Sequence, residues 1–416
     1  MSMRRVVITG MGAVSPFGTG TGVLFESLLG QRSGVRNVPE LSGIGGLRTR
    51  VAALVPPIDP KEIPRKYRRS MSAMSIYATL ASQEAVSQGG LTEKELHSEH
   101  TGVAIGSTVG SPTATHGFYK EFLATKSLET TRSTFFFQIM NHSCAMNVAQ
   151  VFGINGRMLA PSAACSTACQ AIGYGYEMIA CGKQERMLCG GADEFHPLTA
   201  ATFDIINAAS VKYNEHPAET PRPFDRDRDG VVCAEGSGIL LLESLESARS
   251  RRTAILAEVI GFATLCDTIN IADPHADSIE SCIRMALTEA GIKPDEIDYV
   301  NAHATGTLQG DIAESEAIRR IFGERTPASS LKGHLGHTMA ASGAIETIAS
   351  ILMMERGILI PTLHLDNVDP LCDNVWHFRG EIDRPIRILL KNNFALGGIN
   401  SCLVLRRYEN DGPGSH

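Results

Sequence analysis

One cysteine lies in a sequence context that favours a reactive thiol. Cys165 follows the small residues from Pro161 to Ala164 and precedes a segment with helical periodicity. At the first turn of a helix, free backbone N–H groups and the helix dipole favour the thiolate. The small neighbours would leave room for a substrate carbonyl. Because most free cysteines are structural, a buried packing residue is the alternative, and that alternative fits Cys169 better.

Two histidines later in the chain could act on such a thiol. His303 follows a predicted buried strand at 297–300 and begins a loop rich in threonine and glycine. Sites in α/β proteins usually form at the carboxyl ends of strands. His337 stands at the predicted start of a helix, and metal binding by His334 and His337 lacks a third ligand with suitable spacing. A surface loop is the alternative for His303. A cysteine followed by two histidines nevertheless suggests thiol-based acyl chemistry.

Charged and glycine-rich segments accompany the histidines. Lys332 precedes His337 and could tune the site with its charge, while Asp311 and Glu314 could orient a base or a lysine. A surface loop with a capping aspartate is the simpler alternative. Near the end of the chain, paired glycines at 397–398 predict a tight and mobile loop whose backbone N–H groups could bind an anion. A plain β-turn is the alternative there.

The elements that would position these residues alternate along the chain. Short apolar runs such as Val6–Thr9 and Gly102–Gly106 recur between helical segments such as Met71–Gln88 and Ser278–Ala290. Runs of this kind are typical of strands that helices cover on both faces. The pattern predicts an α/β protein with layered helices and sheets.

The chain is expected to contain two halves. A charged helix end precedes a new strand at 254–260, so the predicted halves are residues 1–252, with the cysteine, and 253–408, with both histidines. No long linker separates them, which predicts one body. Residues 409–416 are polar and rich in glycine and proline, which predicts a flexible tail.

Composition excludes several classes of protein. The 416 residues carry 38 basic and 45 acidic side chains, a net charge of −7, with 43% hydrophobic and 20% charged residues. This composition is globular, and the negative balance argues against a nucleic-acid partner. No apolar run reaches the roughly 18–20 residues that a membrane helix needs. The sequence therefore predicts neither a nucleic-acid partner nor a membrane partner.

Cysteine usage indicates the compartment. The ten cysteines lie between residues 144 and 402 without the density of a disulfide framework, and the first ten residues do not form a secretory signal. Reduced thiols in a cytoplasmic protein are therefore expected. CxxC and HExxH motifs are absent, so the sequence predicts no metal site.

Five motifs follow one another in a characteristic order. They are Arg5–Gly12, Arg222–Gly230 with Ala234–Gly238, His303–Asp311, Lys332–His337 and Phe394–Asn400. In that order they resemble the opening strand and the RPFD…RDG…GEGAG, HGTGT…GD, KxxxGH and FGFGGTN motifs of the elongating β-ketoacyl-acyl-carrier-protein synthases. The resemblance covers residues 3–407, and the order of the motifs makes it specific.

The resemblance implies a fold, an assembly and a reaction. The fold is the thiolase fold, in which two similar α/β halves pack as αβαβα layers, and family members are homodimers. The reaction is a decarboxylative Claisen condensation that extends an acyl chain by two carbons in fatty acid biosynthesis. No free cofactor is implied, because an acyl carrier protein delivers the substrates on its phosphopantetheine arm.

The resemblance also implies a role for each candidate residue. Cys165 would hold the acyl chain, while His303 and His337 would donate hydrogen bonds to the malonyl thioester carbonyl. Lys332 would lie beside the histidines with acidic partners, because an unpaired buried lysine is costly. The further roles are charge balance at Asp311 and Glu314, an oxyanion hole at Cys165 and Phe394, phosphopantetheine binding at Thr305 and Thr307, a gate at Phe394, Leu396, Gly397 and Gly398, an acyl-pocket position at Val109, and carrier docking at Arg65, Lys66, Arg68 and Arg69.

Departures from the family pattern bear on substrate choice. Leu396 and Ile399 stand where the family has a second aromatic residue and a threonine, and the triad is unchanged. The run Phe135–Phe137 is unusual, and we favour dimer-interface or core packing over an acyl-pocket wall.

Three alternative functions are weighed against that of an elongating ketosynthase. A ketosynthase of a polyketide or aryl polyene pathway is supported by Leu396. A chain-length partner in a heterodimeric ketosynthase would typically lack the nucleophile, whereas Cys165 is present. A thiolase would have a second cysteine in the last motif, where this chain has Asn393 and Phe394.

Overall fold

Ten strands form the main path of one mixed sheet through the protein. The computed structural model describes residues 3–129 and 131–409. Within those residues the strands are β1 Val6–Ser15, β2 Thr101–Gly106, β3 Met158–Leu159, β4 Arg186–Asp193, β5 Gly236–Ser244, β6 Ala257–Cys266, β7 Tyr299–Asn301, β8 Ala328–Ser329, β9 Ile388–Ala395 and β10 Ile399–Arg406. Their order across the sheet is β8-β7-β9-β10-β6-β1-β5-β4-β2-β3.

The sheet repeats one strand order twice. From the centre outward, the first half of the chain runs β1, β5, β4, β2, β3, and the second half runs β6, β10, β9, β7, β8. In each half the two inner pairings are antiparallel and the two outer pairings are parallel. The halves join where β1 pairs with β6. The two halves are therefore structurally alike, although no internal repeat is recognisable in the sequence.

Helices cover the sheet on its faces and edges. They are α1 Thr21–Leu29, α2 Pro39–Ser42, α3 Arg65–Arg68, α4 Ala73–Gly89, α5 Glu93–Leu96, α6 Pro112–Thr125, α7 Thr134–Ile139, α8 Ser143–Phe152, α9 Thr167–Ala180, α10 Pro197–Ile205, α11 Leu245–Arg251, α12 Ala276–Ala290, α13 Leu308–Phe322, α14 Lys332–Leu335 and α15 Ser342–Arg356. Short strands outside the main path are Gly18–Thr19, which pairs with β1, and the pairs Arg36–Asn37 with Val51–Ala52 and Ile358–Leu359 with Ile382–Asp383. None of the described helices combines the length and apolar character that a membrane span requires.

The helices α9 and α15 occupy equivalent places in the two halves and pack against each other. Each follows the third strand of its half, and both are lined by apolar and small buried residues. At their contact, a side chain on Gly343 would meet the backbone nitrogen of Cys169 at 2.6 Å. Similarly, a side chain on Gly191 in β4 would collide with the backbone of Ala340. Backbone therefore packs directly on backbone beneath the start of α15, which fixes the distance between the halves.

The predicted α/β class is confirmed, and the first strand runs longer than the sequence pattern suggested. The first strand continues to Ser15, because its two glycines lie against the backbone of α4 and extend the buried run. The predicted boundary at residue 252 falls between α11 and β6 and stays a prediction. Of the predicted tail, residues 410–416 lie outside the described residues.

Candidate active site

Cys165 lies on a sharp turn that leads into α9. The turn Ala164–Ser166 precedes Thr167, and Ala164 has a φ of 46°, a left-handed conformation that is rare for a residue with a side chain. Thr167 stabilises the turn, since its Oγ1 accepts from the backbone N–H of Ala163 at 2.9 Å. The thiol faces a cavity of about 320 Å³ and is nearly buried. Strain of this kind, held in place by side-chain hydrogen bonds, is common at functional sites.

The two histidines flank this thiol. His337 Nε2 lies 2.9 Å from Cys165 Sγ. The rings of His303 and His337 meet edge to face with centroids 5.3 Å apart, and the ligand-type atoms of all three side chains lie within 4.8 Å of one another. Cys165 comes from the first half of the chain and the histidines from the second. The three residues singled out from the sequence are therefore brought together where the halves meet.

Burial keeps all three groups uncharged near neutral pH. Burial and the charge of Lys332 lower the pKa of His337 to about 3, and the same causes hold the pKa of His303 well below its usual value. Burial raises the pKa of the Cys165 thiol to about 12, against the opposing charge of Lys332. The expectation of a stabilised thiolate at a helix start is therefore not met, because loss of hydration outweighs the helix dipole. The thiol must transfer its proton as it reacts.

Two backbone N–H groups face the thiol and favour its anion. They belong to Cys165 itself and to Leu396, and both act to lower the pKa of the thiol. The expected oxyanion residue Phe394 is a different case, because it lies within the paired part of β9, opposite Asn400 of β10. Leu396 begins the turn after β9, where its N–H is turned towards the thiol. The N–H groups that act on the thiol are thus those of Cys165 and Leu396, and an oxyanion hole stays a prediction.

The same turn connects to a neighbouring loop. Gly397 and Gly398 have φ values of 90° and 76°, and the N–H of Gly397 donates to the carbonyl of Ile271 at 2.7 Å. The N–H of Asp267 donates in turn to the carbonyl of Gly398 at 2.6 Å. Phe394, expected as the moving gate, is only 6% exposed and packs in the second hydrophobic core, whereas Leu396 is 36% exposed. Phe394 also lines the cavity beside His303, and a gating role stays a prediction for Phe394, Leu396 and the two glycines.

Lys332 is buried and paired with a glutamate that the sequence analysis did not identify. Its Nζ lies 2.7 Å from one carboxylate oxygen of Glu346, and Nζ of Lys391 lies 2.8 Å from the other. Ser342 donates to the same carboxylate at 2.7 Å. Burial opposes ionisation of Glu346, yet the two lysines lower its pKa to about 2. The available signals were a carboxylate among the apolar residues of the first turns of α15 for Glu346 and the one charged side chain of β9 for Lys391.

Asp311 does not balance the charge of Lys332, contrary to expectation. Its carboxylate accepts from the backbone N–H groups of Phe224 and Gly306 at 2.8 and 3.1 Å, and Arg228 lies 3.7 Å away. Burial raises the pKa of Asp311 to about 7. Asp311 therefore fixes the loop after β7.

Glu314 likewise supports the loop that carries His303. It accepts from the backbone N–H groups of His303 and Ala304 at 2.9 and 2.7 Å, and from the Asn392 amide at 3.0 Å. Its carboxylate is held by three donors, and its charge favours the protonated form of Lys332, which pairs directly with Glu346. These hydrogen bonds from the backbone to Glu314 fix the position of His303.

Some of the remaining candidate residues line the cavity, and others lie elsewhere. Thr305 and Thr307 line it, and their hydroxyl oxygens are 3.1 Å apart. Val109 is 58% exposed and does not line this cavity, so the structure gives it no wall position there. The basic candidates also lie elsewhere: α3 carries Arg65, Lys66 and Arg68, followed by Arg69. Arg68 and Arg69 border a separate surface depression with Arg132.

Phe136 and Phe137 are 66% and 43% exposed, so core packing does not explain them within one chain. Neither lines the cavity that contains the thiol. An interface role therefore remains the favoured interpretation for this pair, and it stays a prediction.

The thiol and the two imidazoles are also, by type and spacing, a set of soft metal ligands. Two ammonium groups, those of Lys332 and Lys391, share a single carboxylate close by. Their positive charge lowers the pKa of both histidines and would oppose a divalent cation in the same way. The surroundings therefore suit an anion better than a metal ion.

A buried thiol in contact with an imidazole, between the central helices of a duplicated α/β fold, defines an enzyme of acyl-thioester chemistry. Residues 3–248 and 256–366 match the family models of the N-terminal and C-terminal domains of β-ketoacyl synthases. The chain is 32% identical to 3-oxoacyl-[acyl-carrier-protein] synthase 1 of Haemophilus influenzae, over 98% of this chain and 100% of that protein. It is 36% identical to 3-oxoacyl-[acyl-carrier-protein] synthase 2 of Rhizobium meliloti, over 98% and 99%.

Solved structures agree with the sequence comparisons. A β-ketoacyl synthase from Burkholderia phymatum superposes with a TM-score of 0.94 at 41% identity, over 98% of this chain and 100% of that chain. The ishigamide ketosynthase/chain length factor superposes with a TM-score of 0.90 at 32% identity, over 98% and 100%. The chain therefore belongs to the β-ketoacyl synthase family. It has the expected thiolase fold, and it is an acyl-transferring enzyme.

Proposed function

We propose that the protein condenses an acyl chain held on Cys165 with a malonyl group on an acyl carrier protein, in fatty acid biosynthesis. Carbon dioxide leaves, and the chain becomes two carbons longer. The observation that carries this proposal is the 2.9 Å contact between His337 Nε2 and Cys165 Sγ, with His303 beside both in one cavity.

Acyl transfer to the enzyme is the first step. The Cys165 sulfur attacks the thioester carbonyl of the acyl carrier, while its proton moves to His337 Nε2. The carbonyl oxygen becomes an oxyanion that accepts from the N–H groups of Cys165 and Leu396. When the tetrahedral intermediate collapses, the thiol of the phosphopantetheine arm leaves with the proton. The acyl chain is then a thioester on Cys165.

Condensation is the second step. His303 and His337 donate hydrogen bonds to the thioester carbonyl of the malonyl group, where negative charge develops as the carboxylate leaves as carbon dioxide. The resulting enolate carbon attacks the acyl carbonyl on Cys165. The Cys165 sulfur leaves and takes up a proton, and a 3-oxoacyl thioester remains on the carrier.

The surroundings of His337 support its use in both steps. Its Nδ1 is buried and has no hydrogen-bond partner among the described residues. Either ring nitrogen of His337 can therefore carry the proton. This histidine can accept from the thiol in the first step and donate to the malonyl carbonyl in the second.

Binding of the carrier completes the proposal. Thr305 and Thr307 line the cavity and would hydrogen-bond the phosphopantetheine arm, which brings the acyl groups without another cofactor. The four basic residues Arg65, Lys66, Arg68 and Arg69 would attract the acidic carrier protein by long-range electrostatics. The active unit would be a homodimer, with a heterodimer as the alternative assembly.

Trapping the acyl-enzyme tests the assignment of the nucleophile. The enzyme is incubated with an acyl carrier and then digested, and the peptides are examined by mass spectrometry. The adduct is expected on Cys165 and should be missing in Cys165→Ala, whose melting temperature should match the parent. An adduct on Cys169 would overturn the assignment.

A second candidate is a ketosynthase of a specialised pathway, which the position of Leu396 beside the thiol favours. Leucine there presents a smaller and more flexible wall than an aromatic ring to the incoming chain. Product analysis with malonyl carrier and acyl carriers of defined length and unsaturation separates the two candidates. Turnover restricted to polyunsaturated chains would favour the second.

A further inference from the structure

One buried amide joins the nucleophile turn to a catalytic histidine. Asn393 lies in β9 and is fully buried. Its Nδ2 is 3.0 Å from the carbonyl oxygen of Cys165, 3.4 Å from Nδ1 of His303 and 3.4 Å from Oγ of Ser342. Ser166 donates to the backbone carbonyl of Asn393 at 3.0 Å, so the same residue is held from both sides.

The orientation of this amide is determined by its neighbours. The Cys165 carbonyl can only accept, so the amide must present its NH₂ group there. This leaves Oδ1 of Asn393 buried and without a hydrogen-bond partner among the described residues. The opposite orientation would bring two oxygens together at Cys165. The fold therefore retains the donor side of Asn393 even though its acceptor side is unsatisfied.

A donor facing Nδ1 decides which nitrogen of His303 carries the proton. A neutral imidazole has one N–H, and a nitrogen that accepts a hydrogen bond cannot carry it. With Nδ1 accepting from Asn393, the proton lies on Nε2, and His303 becomes a donor towards a substrate in the cavity that it lines. His337, whose Nδ1 has no partner among the described residues, lacks this constraint.

We propose that Asn393 is a positioning residue that fixes His303 in the Nε2–H tautomer and thereby makes it a hydrogen-bond donor for condensation. This inference rests on the proposed function. The roles of the two histidines then differ, because one is fixed as a donor and the other is free to accept or donate. The other charged or titratable groups around His303 are Lys332, Lys391, His337, Glu314 and Cys165.

Comparison of Asn393→Asp with Asn393→Ala tests the proposal. The aspartate has the same size but cannot donate, so His303 should carry its proton on Nδ1 and lose its donor. We expect Asn393→Asp to slow condensation by about 100-fold, the scale of losing one aimed donor. Asn393→Ala leaves the tautomer unconstrained and should lose less, about three- to tenfold. A role in packing alone predicts the opposite order, because alanine leaves a cavity.

The pH profile gives an independent readout. The introduced carboxylate should raise the pKa of His303, and the doubly protonated ring regains an N–H on Nε2. The activity of Asn393→Asp relative to the parent should therefore rise as the pH falls. A flat ratio, or a larger loss in Asn393→Ala, would overturn the proposal. Asn147→Asp is the matched control, since Asn147 is equally buried but hydrogen-bonded to Ser70 and Ser143, and it does not line the cavity that contains the thiol.

A measurement on the parent enzyme covers the case in which Asn393→Asp fails to fold. Histidine labelled with ¹⁵N reports which ring nitrogen is protonated, and His303→Gln identifies the signal. Protonated Nε2 is expected, and protonated Nδ1 would overturn the inference. Condensation by the parent tests the proposed function separately, because that activity does not depend on which outcome the variants give.

Discussion

Replacement of Glu346 by glutamine should remove a large, pH-dependent part of the stability of the protein. Glu346 is 1% exposed, and its pKa is lowered from 4.5 to about 2 by the two lysines that share it. Each unit of pKa corresponds to about 1.4 kcal/mol. Ionised Glu346 therefore stabilises the fold by roughly 3 kcal/mol at pH 7 relative to its neutral form. Glutamine has the shape of the neutral form and should lose that amount.

The sign of the pH dependence follows from the direction of the shift. Because the pKa of Glu346 is lower in the folded chain, its contribution is complete above pH 4.5 and is lost as the pH falls towards 2. At pH 3 less than half of this contribution remains. The difference in unfolding free energy between parent and Glu346→Gln should shrink accordingly.

Urea unfolding of parent and variant at pH 7 and pH 3 measures this difference. Glu235→Gln is the control, because Glu235 is also buried but burial raises its pKa and no lysine pairs with it among the described residues. The unfolding free energy of the parent minus that of Glu235→Gln should not decrease towards pH 3. If the unfolding free energies of parent and Glu346→Gln differ by the same amount at both pH values, the argument that ionised Glu346 stabilises the two buried lysines is refuted.

Further predictions concern catalysis, docking and substrate range. His303→Ala and His337→Ala should still form the acyl-enzyme, with slower transfer for His337→Ala, yet both should lose condensation by at least about 100-fold in single-turnover assays. Wild-type condensation in either variant would remove that histidine from the mechanism. Charge reversal at Lys66 and Arg69 should raise KM for carrier-bound substrates, mostly at low salt, and leave small thioesters unaffected. Equal loss with both substrates would indicate damage to the fold. Leu396→Phe should narrow the range of acyl chains without slowing saturated ones, and an unchanged chain-length profile would show that Leu396 does not determine substrate choice.

Sequence patterns identified the reactive side chains of the site more completely than the residues that hold them in place. Cys165, His303 and His337 could be found because each lies in a short motif close to one end of a helix or strand. Glu346 was missed because its partner Lys332 lies on another element, and only the packing of α15 brings the two together. Asp311 and Glu314 were assigned to that lysine because they are close to His303 in sequence. Both carboxylates accept backbone N–H groups of the loop, and Glu314 also favours the charged form of Lys332.

Local sequence patterns could not show where β9 ends either. Phe394 and Leu396 are two residues apart, and the oxyanion assignment depends on which of them lies beyond the pairing of β9 with β10. The repeated strand order of the two halves was equally hidden. Strand order depends on which backbones pair, and different apolar residues can form the same pairing. The class of fold followed from local patterns, whereas the duplication did not.

The backbone contacts at Gly191 and Gly343 limit how this enzyme could diverge. No side chain fits at either position, so this contact cannot be remodelled one residue at a time without separating the two halves. The entrance is different: Ile206, Leu308 and Leu396 border the cavity and are partly exposed, so each can change size without disturbing the core. New substrate preferences should therefore arise at the entrance. A laboratory library aimed at new acyl chains should vary those three positions and leave the glycines fixed.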